Sequence, residues 1–163
     1  MPAESKLMPR LGNTRVTGKE QFYTPSELAH TLVERVEAVL GSLRGKVVLE
    51  PAGGTGSFIE AVRAKGAAEV ISFDIEPLHE DVALGSFLDQ QLKLQNLITI
   101  SNPPFGRNNA LSVPFFNHAA GVSDAICFIV PRSWRKWSVT NRLDLNFDLV
   151  FDQDLDIDYV DAT

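Results

Sequence analysis

The sequence has a single cysteine, Cys127, so an internal disulfide and any multi-cysteine zinc site are excluded. It has no apolar run of 18 or more residues, which argues against a membrane span. No basic-then-apolar leader opens it, so secretion is not expected, and the reducing cytoplasm is the expected setting. No internal repeat or low-complexity tract is present. Its three histidines, His30, His79 and His118, lie too far apart for metal-ligand spacing, and no metal is expected. What is there, 163 residues with 44% apolar and 22% charged, suits one soluble domain with a real core.

The net charge of −6 is unevenly spread. Asp144, Asp148, Asp152, Asp154, Asp156, Asp158 and Asp161 crowd the last twenty residues; without them, 15 Lys and Arg face 14 Asp and Glu. The acidity therefore belongs to the tail, and the body is left open to a nucleic-acid partner. The tail alternates roughly with Leu155, Ile157 and Tyr159. It reads as an edge strand, a solvated end, or a segment whose aspartates occupy a basic groove.

Residues 1–20 mix Pro, Gly, Lys and Arg without periodicity and read as a flexible arm. The expected domain covers 21–163. Thr24-Pro25-Ser26-Glu27 has the makings of a helix start, with Thr24 as cap and Glu27 as its capping-box partner. Leu28, Leu32, Val36, Val39, Leu40 and Leu43 follow at helical spacing, and Gly41 or Gly45 ends the helix. Short apolar strands are expected at 46–50, 69–73, 97–101 and 125–130. Helices are expected at 57–65, 113–120 and 133–141, and Leu149-Val150-Phe151 starts a last strand. Continuous apolar strands alternating with helices imply an α/β fold, a mostly parallel sheet with helices on both faces. In such folds ligands sit at the C-terminal ends of the strands.

The unusual residues all follow strand ends. Glu50-Pro51-Ala52-Gly53-Gly54-Thr55-Gly56 joins the first strand to a helix. Gly54 and Gly56 match two glycines of a dinucleotide fingerprint, but Ile59 stands at the third, and no Gly-Lys-Ser/Thr phosphate loop is present. An acid at the strand end is a poor neighbour for a pyrophosphate and suits a cationic ligand such as a sulfonium. Asp74 ends the second strand, where an acid can accept both hydroxyls of a ribose. Ser101-Asn102-Pro103-Pro104-Phe105-Gly106 follows another strand. Two prolines remove two N–H donors and stiffen the chain. The carbonyls of Asn102 and Pro103 and the Asn102 side chain are then acceptors matched to an amine with two hydrogens. Phe105 adds an aromatic face for a planar base.

With these motifs in order, the chain resembles the S-adenosylmethionine-dependent amino-methyltransferases, closest to the bacterial adenine-N6 DNA methyltransferases. The resemblance runs over residues 21–131, from Phe22-Tyr23-Thr24-Pro25 through the glycine loop, Asp74-Ile75-Glu76-Pro77 and Gly85-Ser86-Phe87-Leu88 to Asn102-Pro103-Pro104-Phe105 and Phe128-Ile129-Val130-Pro131. It implies a Rossmann-like methyltransferase fold with S-adenosyl-L-methionine as cofactor. It implies that Tyr23, Thr24, Pro25, Glu50, Ala52, Gly54, Gly56, Asp74 and Phe87 bind that cofactor. Asn102, Pro103, Pro104 and Phe105 would carry catalysis, with adenine N6 in nucleic acid as acceptor, DNA before RNA. Other acceptors are RNA adenine or a protein glutamine, and a further reading is a non-catalytic cofactor-binding subunit. Ser86 departs from the family, which usually has an acid there, and Asp89 is a possible substitute. No room is expected for a target-recognition domain, so a separate recognition subunit is an expected partner. By the same resemblance, the last hairpin, with its second aromatic against a flipped base, is not expected within these residues.

Arg132, Arg135, Lys136 and Arg142 form an acid-free run with Trp134 and Trp137 interleaved. Arg135, Lys136 and Trp137 are candidates for gripping a phosphate backbone and stacking a base; the same pattern also fits a helix packed through its tryptophans. Arg107, Asn108 and Asn109, after the Pro-Pro-Phe loop, are further candidates for touching substrate, although a polar turn is the preferred reading, and Cys127 reads as packing.

Overall fold

A computed structural model describes residues 23–156. The expected N-terminal arm and the last residues of the acidic tail lie outside them. The elements are α1 (Ser26–Leu40), β1 (Val47–Glu50), α2 (Ser57–Ala64), β2 (Glu69–Asp74), β3 (Ala83–Leu84), β4 (Leu97–Ser101), α3 (Ser112–Ala120), β5 (Ser123–Phe128) and α4 (Trp137–Thr140). The strands form one sheet of order β3-β2-β1-β4-β5, parallel throughout. This is the doubly wound class expected from the apolar strands, and its order reverses between β1 and β4. Such a switch point leaves a crevice beyond the carboxyl ends of the two strands.

The period-two alternation of a strand divides the core in two. Val48 joins Ala29 and Val33 of α1 and Phe58, Ala61 and Val62 of α2 on one face. Its neighbour Leu49 joins Phe87, and Phe115 and Ala119 of α3, on the other. β1 and β4 are thus covered on both sides, as their unbroken apolar runs require. β5 is an edge strand and none of its residues is fully buried, although it is the most apolar stretch in the sequence. Burial still pushes the Cys127 thiol up to about 11, so it is protonated and unreactive at neutral pH.

Several local expectations are corrected. Thr24 does not cap α1: the cap position is Pro25, without any side-chain bond, and the helix ends at Gly41 with φ 95°. α1 buries Ala29 and Val33, while Val39 and Leu40 lie exposed beyond its contact with the sheet. The helix expected over 133–141 is broken in two. Arg132–Arg135 is a 3-10 turn, and Lys136, extended at φ −79° and ψ 142°, separates it from the single turn of α4. The strand expected at Leu149-Val150-Phe151 is absent; those residues are irregular and exposed. Among the described residues no helix is long and apolar enough to cross a membrane.

Candidate active site

The crevice at the switch point holds a cavity of about 510 Å³, within the range of small-molecule sites. Three strand ends build it. β1 delivers Glu50 and the glycine loop, β2 delivers Asp74, and β4 delivers Asn102.

Close approaches shape the glycine loop, two of them at Gly54 and Gly56. Gly54 has φ 52°, and a Cβ there would lie 2.9 Å from the Tyr23 ring. Its N–H donates to Asp74 Oδ2 at 2.8 Å, tying the loop to the end of β2. Asp74 Oδ1 accepts from the Glu76 N–H at 2.8 Å. Asp74 lines the cavity at the end of β2. At Gly56, φ is 81° and the place of a Cβ is taken by the His79 ring, 2.3 Å away. Gly56 therefore admits the chain carrying His79, which in turn bonds Glu60 at 2.8 Å, and it does not line the cavity.

Glu50 is fully buried although it faces the cavity. Its Oε1 accepts from Ser101 Oγ at 2.5 Å and from the Ala52 N–H at 3.1 Å. Desolvation outweighs both bonds, and with Asp74 nearby the carboxyl is raised to about 8. No Lys or Arg pairs with it among the described residues. A buried acid without a cation is costly, and a positively charged ligand in the cavity would relieve that cost.

Asn102 is tied to the segment before α1. Its Nδ2 donates to Thr24 Oγ1 at 3.3 Å, and Thr24 O accepts from Ser57 Oγ at 2.8 Å. Thr24 thus spends its groups on joining β4, α2 and the entry to α1, which explains why it caps nothing. Pro104 lines the cavity with Asn102, whereas Pro103 and Phe105 are buried behind them. Pro25 also lies outside the lining.

Phe87 lines the cavity with its edge of the core. It is almost wholly buried, 5.7 Å from Phe115 and 4.7 Å from His118 by ring centroids. Ser86 lines the cavity too, and its Oγ accepts from the Leu88 N–H at 3.2 Å, capping the turn that follows. Asp89 is exposed and does not reach the cavity. Ile75, Arg107, Ala110, Leu111 and Phe115 also line it; of these, the sequence pointed only to Arg107 as a substrate contact, with a polar turn preferred. An apolar residue right after the strand-end acid, exposed as Ile75 is, could have signalled its role. Phe115 reads as an ordinary apolar residue of the expected helix at 113–120, and Ala110 and Leu111 carried no signal.

The basic run lies apart from the cavity lining. Arg135 makes a bidentate pair with Asp152 at 2.9 and 2.5 Å and reaches Asp154 at 2.8 Å. Those hydrogen bonds raise its pKa further and lower that of Asp152. Arg132 meets Asp154 at 3.6 Å. Of the three readings of the tail, these described residues take the one that places aspartates on basic side chains. Lys136 is exposed.

The two tryptophans differ. Trp134 packs against Phe116 and Phe128 at 5.7 and 6.4 Å and donates from Nε1 to Ser112 Oγ at 3.0 Å, whereas Trp137 is 76% exposed. Trp134→Ala is expected to destabilise the fold by about 2–4 kcal/mol, and Trp137→Ala to stay within about 0.5 kcal/mol. Urea denaturation of both variants checks this; equal losses would contradict the division.

Comparison with known proteins agrees with this architecture. A family model described as N-6 DNA methylase matches residues 6–86, about half the chain, taking in the glycine loop, Asp74 and Ser86 and stopping short of Asn102. A solved structure from Pyrococcus horikoshii, described as a candidate RNA methyltransferase, shares 28% identity at a TM-score of 0.60. The chain belongs to the S-adenosylmethionine-dependent methyltransferases. The Pyrococcus match covers 75% of this chain and 67% of the other. A Listeria monocytogenes structure, described as a candidate class I S-adenosylmethionine-dependent methyltransferase, has a TM-score of 0.58 at 14% identity. It shows likeness of fold, over 86% of this chain and 55% of that one. The methyltransferase chain thus spans about two-thirds of one neighbour and just over half of the other. No curated protein sequence matches it.

The cavity fits the methyltransferase cofactor on its own chemistry. Glu50 is a buried acid without a cationic partner, and Gly54 leaves open a cradle that a side chain would press against Tyr23. Among the described residues no three of His, Cys, Asp or Glu come together as a metal group.

Proposed function

We propose that this methyltransferase modifies an exocyclic amine, adenine N6 in nucleic acid, with DNA as the first substrate to test. The observation that carries the reading is that Asn102 shares one cavity with Glu50 and Asp74, its amide held by Thr24. S-adenosylmethionine, when bound, supplies an electrophilic methyl on a sulfonium. The chain's own residues do the rest. Glu50 and Tyr23 line the cationic end, and Asp74 accepts from the ribose hydroxyls.

The Asn102 side-chain carbonyl accepts from the acceptor amine. An adenine amine is a weak nucleophile because its lone pair is delocalised into the ring. Accepting its hydrogens favours a more tetrahedral nitrogen and stabilises the positive charge developing there. Holding the reactants in line supplies much of the remaining acceleration. The proton departs after transfer, through Asn102 and solvent, so no strong base is required. In a duplex the base must first be flipped out, which costs a few kcal/mol and favours single strands or a partner that opens them. We include a separate target-recognition subunit in the proposal for this reason.

RNA adenine is the second reading, favoured by the description of the Pyrococcus neighbour. A tritiated-methyl transfer assay against DNA, RNA and extract protein separates the two. Label confined to protein would sink the nucleic-acid reading altogether.

The basic turn bears on substrate grip. Because Arg135 is already paired with Asp152 and Asp154, Arg135→Ala is expected to leave the log–log salt slope of DNA binding nearly unchanged. Lys136→Ala should reduce it by about 0.7–0.9. Replacing Asp152 and Asp154 together by asparagine should release Arg135 and steepen the slope. A full-sized effect of Arg135→Ala in the otherwise unaltered chain would show that the carboxylates give way to phosphate.

A further inference from the structure

We propose that Arg107 is the phosphate-binding residue of the acceptor end of the cavity, taking a phosphodiester oxygen of the strand that carries the target base. The inference rests on the nucleic-acid reading above and deepens it. Three observations carry it.

The first is the polarity of the cavity. Its charged lining among the described residues is Glu50, Asp74 and Arg107. The two acids stand at the ends of β1 and β2. Arg107 stands beyond β4, five residues after Asn102. Acids suit the cationic end of the cofactor, and a guanidinium on the acceptor side suits an anion.

The second is that Arg107 has no partner among the described residues. Its side chain is exposed and makes no hydrogen bond or ion pair among the described residues. The nearby arginines are committed. Arg132 and Arg135 pair with aspartates. Arg142 donates to the carbonyls of Ser138 at 3.1 Å and Asn108 at 3.0 Å. A planar guanidinium matches phosphate through two parallel hydrogen bonds, and this one is available.

The third is the backbone that holds it. Gly106, Asn108 and Asn109 have φ of 77°, 54° and 62°. Three positive φ values in four residues are unfavourable for a free chain and persist only where neighbours over-determine them. Here they do. The Phe105 carbonyl accepts from the N–H groups of Leu111 and Ser112, both at 3.1 Å. Buried Asn109 donates from Nδ2 to Ser133 Oγ at 2.9 Å, and Arg142 holds the Asn108 carbonyl. A Cβ at position 106 would lie 2.6 Å from the Leu111 nitrogen, so only glycine fits. The Cα of Arg107 is therefore pre-positioned, and binding has to order only its side chain. A neutral amide or small neutral amine brings no anion for this guanidinium; a nucleotide strand brings a phosphate on either side of the target.

The test uses the full chain, an adenine-containing single-stranded oligonucleotide and labelled S-adenosylmethionine. Arg107→Ala is expected to raise the oligonucleotide KM by about tenfold or more, with kcat within a few-fold, and to lower the salt slope by about 0.7. Arg107→Lys should restore the slope but only part of the KM, because an ammonium is a point charge and not a fork. Affinity for S-adenosylhomocysteine, by calorimetry, should not change in either variant. An unchanged KM and slope in Arg107→Ala would overturn the inference. So would a loss of S-adenosylhomocysteine affinity, which would place the guanidinium on the cofactor's carboxylate. Failure of the unaltered chain to methylate any nucleic acid is a different result: it would remove the proposed function itself.

Discussion

Replacing Asn102 by alanine is expected to cut methyl transfer by roughly 10²-fold or more while leaving cofactor affinity almost unchanged. The size of the effect follows from where the amide acts. Its carbonyl accepts from the acceptor amine most strongly when that nitrogen becomes positive, which happens at the transition state and not in the bound substrate. The interaction therefore appears in kcat. The geometry supports the assignment, because Asn102 leaves the end of β4 into the cavity and its Nδ2 is fixed by Thr24 Oγ1 at 3.3 Å. Glu50 and Asp74, which line the cofactor end, come from β1 and β2 and do not depend on the Asn102 side chain. Single-turnover kinetics with saturating labelled cofactor measures the first quantity, and S-adenosylhomocysteine calorimetry the second. Near-normal transfer by the variant would remove Asn102 from catalysis. Loss of cofactor affinity in proportion to rate would move it to the cofactor end.

The strands and the strand-end residues were legible because each depends on neighbours in sequence. Val47-Val48-Leu49-Glu50 is buried on both faces, and four apolar-to-acid residues followed by glycines say as much without coordinates. The same reasoning put Asp74 and Asn102 at strand ends. The features that escaped depend on contacts between distant residues. Thr24 looked like a helix cap because a capping box is a four-residue pattern, yet its groups bond Asn102 and Ser57. The segment after β5 looked like one helix because its residues have helical spacing. Trp134 instead bonds Ser112, and Asn109 bonds Ser133, holding the first turn in a 3-10 form that Lys136 leaves in an extended conformation. The basic run could be read as free because sequence order does not show that Asp152 and Asp154 return to Arg135. Arg107 was weighed as a substrate contact and then read as part of a polar turn for the converse reason: sequence order does not reveal which members of a turn lack a partner.

A pH titration should expose Glu50 as the group that makes the ligand-free protein uneasy near neutrality. Its folded-state carboxyl is raised from 4.5 to about 8, chiefly by burial. The fold therefore favours the protonated acid, and the unfolded chain favours the carboxylate above its ordinary value. Between pH 4.5 and 8 the native state binds the extra proton, so stability is fully present below 4.5 and declines as pH rises toward 8. Over the whole window the loss is roughly 3–5 kcal/mol. Glu50→Gln keeps the shape and cannot ionise, so its stability should be flatter with pH than that of the unaltered protein and should overtake it above pH 7. A bound sulfonium reverses the preference, because a positive charge beside Glu50 stabilises the carboxylate. S-adenosylmethionine affinity should then rise with pH by up to about tenfold per unit until the carboxyl is ionised at about pH 8. In Glu50→Gln that dependence should disappear along with much of the affinity. Urea melts from pH 5 to 8.5 and calorimetry in buffers of different ionisation enthalpy measure the two effects. Equal pH profiles for the variant and the unaltered protein would show that Glu50 is ionised in the ligand-free state, and with it the fit between a buried acid and a cationic ligand would lose its force.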